Sequence, residues 1–270
     1  VFSLLNRFHN FIVLLILIVI TLSCWFYTIT GIGMNMSAWK MTLMNLNINN
    51  FSNSMDMNLQ DDQYSNFLDL IFLFFMWFLM MIAMMLPSAI PFIMIFDKIS
   101  YERKNNQYTY VPTINFAISY LLIWAIFSLF ATIIHVLLEF YDMMNVSTLT
   151  VGNLFGALLF MLAGIYQMTP LKNSCLRYCR NPIELLSNEK IFDNLGSFYI
   201  GIKHGIFCVG CCWPLMLLLF YSGVMNILWI AGLSFYILIE KYIILGKKLN
   251  FLTGVILILF GFRIFFIYLF

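Results

Sequence analysis

Charge is scarce in this chain. Of its 270 residues only 10% are Asp, Glu, Lys or Arg, where ordinary soluble domains carry about 25%. The 14 basic residues barely exceed the 12 acidic ones, and no basic stripe with interleaved aromatics is present. That balance excludes nucleic acid as a partner. Signatures of catalysis are missing too: no Ser/His/Asp set, phosphate loop or pair of catalytic carboxylates can be read. No catalytic or organic-cofactor residue is therefore assigned, and the sequence leans away from an enzyme without deciding the question. Proline is limited to six residues, yet Pro87, Pro91 and Pro214 fall inside apolar stretches. Each removes a backbone donor and is expected to kink or break its helix.

What fills the chain is apolar. Hydrophobic residues make up 63% and aromatics 18%, in blocks of about 20, the length that crosses a ~30 Å hydrocarbon core. The fold class is all-α: a polytopic transmembrane helical bundle of about seven spans, near 11–31, 68–96, 114–140, 150–168, 197–221, 226–244 and 251–270. The first block is too long for a signal peptide and lacks a small-residue cleavage site, so it reads as a retained helix. No internal repeat is evident. Residues 1–270 read as a single integral membrane domain in the cell (cytoplasmic) membrane, in contact with lipid. A Met- and Asn-rich outer loop covers 34–67, and an inner loop covers 169–196.

Orientation follows from the basic residues. With the N-terminus inside, Arg7, Lys98, Arg103, Lys104, Lys172, Arg177, Arg180, Lys190, Lys203, Lys241, Lys247 and Lys248 all lie on the cytoplasmic side. Only Lys40 and Arg263 lie toward the outside. The C-terminus is then outside. Glu240-Lys241 reads as an interfacial ion pair, and His135, Glu139 and Asp142 as polar groups near the outer end of the third span.

Five of the six cysteines form two groups: Cys175 with Cys179, and Cys208 with Cys211 and Cys212. Thr169-Pro170 has the form of an N-cap and first helical residue, and Pro182 of a stop. Cys175 and Cys179 then lie one turn apart on a short helix, beside Arg177 and Arg180. The second group is denser. At ~100° per residue, His204, Cys208, Cys211 and Cys212 share one arc of about 100° on a single helix. Polar groups inside a membrane helix usually face the bundle interior and mark function. Thiolates, the metal-binding form, select Cu(I), while closed Cys/His sites also suit Zn(II). Pairs at Met34/Met36, Met41/Met44 and Met55/Met57 in the outer loop tip the choice to copper, with zinc still possible. Methionine also packs readily in irregular cores, so these 18 residues could equally be filler.

The segments AGIYQMTPLKNSCLRYCRNP (163–182) and HGIFCVGCCWPLMLLLFYSGVMN (204–226) resemble a bacterial and archaeal family of predicted metal-binding integral membrane proteins, a domain of unknown function. WFLMMIAMMLPSAIP (77–91) and LIEKYIILGKKL (238–249) are similar to its other blocks. The resemblance implies that Cys175, Cys179, His204, Cys208, Cys211 and Cys212 are metal ligands. The leading expectation is a membrane protein that binds a soft metal for handling or delivery. A non-catalytic accessory subunit of a larger membrane complex, such as a copper-dependent oxidase or monooxygenase, stays open, with other membrane subunits as partners. So does a thiol–disulfide oxidoreductase using Cys208-x-x-Cys211.

The charge sorting carries its own test. A membrane-impermeant thiol reagent added to intact cells should leave Cys175 and Cys179 unlabelled; rapid labelling from outside would reverse the orientation.

Overall fold

The structure, a computed structural model, describes residues 2–31, 38–46, 67–105, 113–145, 149–180, 194–242 and 246–269. The outer-loop methionines 34, 36, 55 and 57, and Pro182 with Lys190 of the inner loop, lie outside them. In chain order the helices are α1 (Phe2–Thr30), α2 (Ala38–Leu46), α3 (Phe67–Asn105), α4 (Thr113–Phe140), α5 (Asn153–Met168), α6 (Pro170–Arg180), α7 (Asn194–Leu217), α8 (Leu219–Ser222), α9 (Ile227–Tyr242) and α10 (Gly246–Leu269). The all-α expectation meets one small exception. Between α4 and α5, β1 (Met144–Asn145) pairs antiparallel with β2 (Thr150–Val151), Met144 opposite Val151.

Among the described residues five stretches are long and apolar enough to cross a membrane: Phe11–Thr30, Phe67–Ser100, Thr113–Phe140, Leu195–Ser222 and Lys248–Leu269. The other two expected spans correspond to α5 and α9, each 16 residues long. At ~1.5 Å per residue such a helix covers only about 24 Å, short of a full hydrocarbon core. α5 is continued by α6 after a 66° bend, and the two count together as a sixth candidate, either a broken span or a re-entrant loop. Thr169 makes the corner. Its backbone N–H closes the last turn of α5 on the Tyr166 carbonyl, and its hydroxyl accepts the Lys172 N–H at 3.4 Å to cap α6.

α3 and α7 are the most enclosed helices, whereas α1 and α10 turn most of their side chains outward. Phe251, Leu252, Leu259 and Ile267 on α10 are all more than half exposed. An apolar outer surface over an apolar core is what a lipid solvent permits. Inside, hydroxyls are satisfied within their own helices: Thr21 donates to the Leu17 carbonyl, Ser128 to Trp124 and Thr132 to Ser128, each at 2.8 Å.

Pro87 and Pro91 do not break their helix; α3 runs through both. Hydroxyls from α3 itself and from two neighbouring helices bind carbonyls beside this turn. Ser234 donates to the Met84 oxygen at 3.2 Å, and Ser88 and Tyr120 donate to the Met85 oxygen at 2.8 and 3.4 Å. Side chains that meet backbone acceptors in this way are what lets a proline sit inside a membrane helix.

α5 packs along α10 at glycine contacts. A Cβ at Gly164 would fall 2.7 Å from the Gly254 carbonyl oxygen, and one at Gly254 would fall 2.9 Å from the Gly164 oxygen. Only the missing side chains let the two backbones approach, the usual device for joining helices in lipid. Gly164→Val should therefore cost about 1–3 kcal/mol, read as a lower unfolding temperature in detergent. Gly232→Ala, with nothing within 4 Å of its added Cβ, is the control and should change little.

Candidate functional site

The three thiols of α7 all face inward: Cys208, Cys211 and Cys212 are 0–1% exposed, and His204 one turn earlier is 2% exposed. The Cys211 and Cys212 sulfurs both donate to the Cys208 carbonyl at 3.0 Å. Pro214 is in register to deprive the Gly210 carbonyl of its helical donor. The Tyr166 hydroxyl of α5 takes that place. The loosened turn expected at the thiols is thus held by a phenol from a neighbouring helix.

α6 brings in the second cysteine group. Tyr178 stacks on Phe207 with ring centroids 4.2 Å apart, seating α6 on α7. Cys179 is thereby brought within electrostatic reach of both Cys208 and Cys211. Cys175 is more peripheral. Its sulfur lies 3.1 Å from where a Cβ on Gly210 would stand, so the bare glycine makes room for it, and it senses the charge of Cys211. His204 lies flat on Phe92, centroids 3.9 Å apart, and neither ring nitrogen has a hydrogen-bond partner among the described residues. An unanswered imidazole in so enclosed a position is unusual. All six sequence candidates therefore lie in one region, on α6 and α7. Among the described residues, however, no three His, Cys, Asp or Glu side chains converge as a metal-holding set. Two of the sulfurs are turned to a backbone carbonyl instead.

Residues outside the cysteine segments complete the site. The Tyr120 hydroxyl of α4 lies 3.3 Å from the Cys208 sulfur, and the Met85 sulfur of α3 lies 4.0 Å from that of Cys212. The Lys241 ammonium of α9 donates to Ser88 Oγ at 2.8 Å and to Cys208 Sγ at 3.1 Å. It acts electrostatically on Cys179, Cys208, Cys211 and Tyr120. Chemically the arrangement is a group of soft sulfur donors next to one fixed positive charge, which compensates negative charge on sulfur where solvent cannot.

The expected Glu240–Lys241 ion pair is not formed. Neighbours on a helix point ~100° apart and do not face one another. Glu240 turns to Lys172 of α6, their charged atoms 2.6 Å apart and both side chains 1% exposed. Lys172 also donates to Gln167 Oε1, and Arg180 donates to the Glu240 carbonyl. Lys172, read from sequence as an inner-loop charge, is thus fully buried. At the other end of the bundle, His135 packs edge-on against Trp77 at 6.2 Å, while Asp142 is exposed in the turn after α4 with a left-handed φ of 52°.

Residues 74–264 match the model of a family described as PpoB2, copper chaperone. No curated protein and no solved structure is similar to the chain.

The Lys172–Glu240 pair ties α6 to α9 and so carries Cys179 to the other thiols. Lys172→Met should cost about 3–5 kcal/mol, because it leaves a carboxylate buried alone. Adding Glu240→Leu should recover most of that loss in denaturant unfolding of the detergent-solubilised protein. A double variant as unstable as the single one would show that packing, rather than charge pairing, holds α6.

Proposed function

Because the chain belongs to the PpoB2 family of copper chaperones, we propose that it is a multi-pass protein of the cytoplasmic membrane that takes up copper as Cu(I) and passes it on. The sulfurs of Cys179, Cys208, Cys211 and Cys212 hold the cargo, with His204 and Cys175 as neighbouring donors. The observation that carries this reading is the seating of α6 on α7, which puts the Cys175 sulfur 3.1 Å from the Gly210 Cβ position and unites two cysteine groups some 30 residues apart in sequence on separate helices. Thiolate sulfur is the donor that best selects Cu(I). Buried thiols in an apolar bundle have little packing reason to be this numerous.

Each part of the site has a task. Tyr120 and Lys241 fix the position of the Cys208 sulfur, and Tyr166 restrains the turn that carries Cys211 and Cys212. With two thiolates around a Cu(I) ion the local charge is −1, and the Lys241 ammonium brings it to zero. His204 has both nitrogens unoccupied, so it loses no existing bond by turning toward a cation. Apolar outer faces on α1 and α10 suit lipid, and the sorting of basic residues sets the N-terminus and the Cys175/Cys179 helix toward the cytoplasm. A chaperone delivers to an acceptor, and other membrane subunits fill that role in this reading.

Protein purified anaerobically in detergent and loaded with Cu(I) should hold about one copper per chain, measured by elemental mass spectrometry. Cys208→Ser, Cys211→Ser and Cys212→Ser should each lose most of it while the helical circular dichroism is kept. A wild type that holds no copper, or a triple variant that holds as much, would overturn the reading.

A further inference from the structure

Five methionines crowd one short stretch of α3, and all are buried: Met76 at 4% exposure, Met84 at 1%, and Met80, Met81 and Met85 at 0%. Methionine fills irregular cores well, so burial alone says nothing about a role. Met85 differs from the others in being joined to the thiols twice. Its sulfur lies 4.0 Å from the Cys212 sulfur. Its carbonyl accepts the Tyr120 hydroxyl, and that same hydroxyl contacts the Cys208 sulfur at 3.3 Å. Ser88 repeats the pattern: it donates to the Met85 carbonyl and accepts from Lys241, whose ammonium also reaches Cys208. Both ends of the Met85 residue, backbone and side chain, are thereby registered against the cysteine helix.

The turn around it is shaped by Pro87, next to which α3 carries hydroxyl-bound carbonyls rather than a plain apolar face. Met81 sits one turn further along, ~40° round the helix and about 6 Å along its axis from Met85. Met80 and Met76 lie about 140° and 180° round from Met85, away from the thiols.

We propose that Met85 is a thioether donor to the soft cation held by the thiols. This rests on the copper reading of the site. A thioether is soft and uncharged, so it adds a bond to Cu(I) without adding a negative charge that the enclosed site would have to compensate. It binds more weakly than a thiolate, which suits a handover ligand. Copper stays Cu(I) throughout and no electron moves; a thiol gives up its proton as it binds the metal and takes one back as it lets go.

Selenomethionine-labelled protein, loaded with Cu(I), tests this directly by X-ray absorption at the copper edge. A copper–selenium contact is expected beside the copper–sulfur ones. It should vanish in Met85→Leu and persist in Met80→Leu, which removes an equally buried thioether from the other face. In competition with a Cu(I) chelator, Met85→Leu should bind copper about tenfold more weakly, the scale on which groups supporting a metal site act. Leucine conserves the volume of methionine, and a wild-type spectrum without a copper–selenium contact would overturn the proposal whatever that variant does. Copper bound by sulfur with no selenium neighbour would overturn the proposal and leave the thiol reading intact. A copper–selenium contact unchanged in a folded Met85→Leu would also overturn it. Absence of any bound copper would instead overturn the underlying reading, and this proposal with it.

Discussion

An ammonium group enclosed among sulfurs is the constraint on which the arrangement turns. Lys241 is buried, and among the described residues no carboxylate pairs with it; the adjacent Glu240 is taken by Lys172. A charge in such surroundings has to be answered nearby, and what stands nearby is Ser88 from α3 and Cys208 from α7. Three helices are thus drawn to one point. Lys172, Glu240 and Arg180 lock α6 onto the same end of α9, and α6 delivers Cys179. Replacing any one of these charges by an apolar group would leave its partner stranded rather than merely lose a contact.

The second organising element is the proline turn of α3. In water a helix interrupted twice would fray, but here the carbonyls of Met84 and Met85 are met by Ser234, Ser88 and Tyr120 from three directions. Those bonds cross-link α3, α4 and α9. They also fix the thioether of Met85 beside Cys212. On α7 the carbonyl that Pro214 leaves without its helical donor, that of Gly210, is bound by Tyr166.

Much of this was legible in the sequence. Apolar block length predicted every long helix, because a 20-residue run admits no other solution in lipid. Helical periodicity put His204, Cys208, Cys211 and Cys212 on one buried face, and Thr169-Pro170 marked the start of α6. What periodicity along one chain cannot reveal is which distant side chain closes a pair. Glu240 and Lys241 read as partners because they are neighbours in sequence, yet a helix sends them to different sides. Lys172 counted as a loop charge because an inner loop was assumed where α5 bends into α6. Tyr120 and Ser88 carry no signal at all until α3, α4 and α7 are seen together. Two lysines and a glutamate inside or next to otherwise apolar helices were the available hint, since such residues rarely sit there without a partner.

The corner at Thr169 separates the sulfurs mechanically. Cys208, Cys211 and Cys212 belong to one helix and move as one body, whereas Cys179 rides on α6, joined to α5 through a single capping residue at a 66° angle. Any change in that angle acts first on the distance between Cys179 and the other three, and leaves their mutual geometry alone. The thiols therefore come from two backbone segments, and where Cys179 stands relative to the other three is set by that one corner.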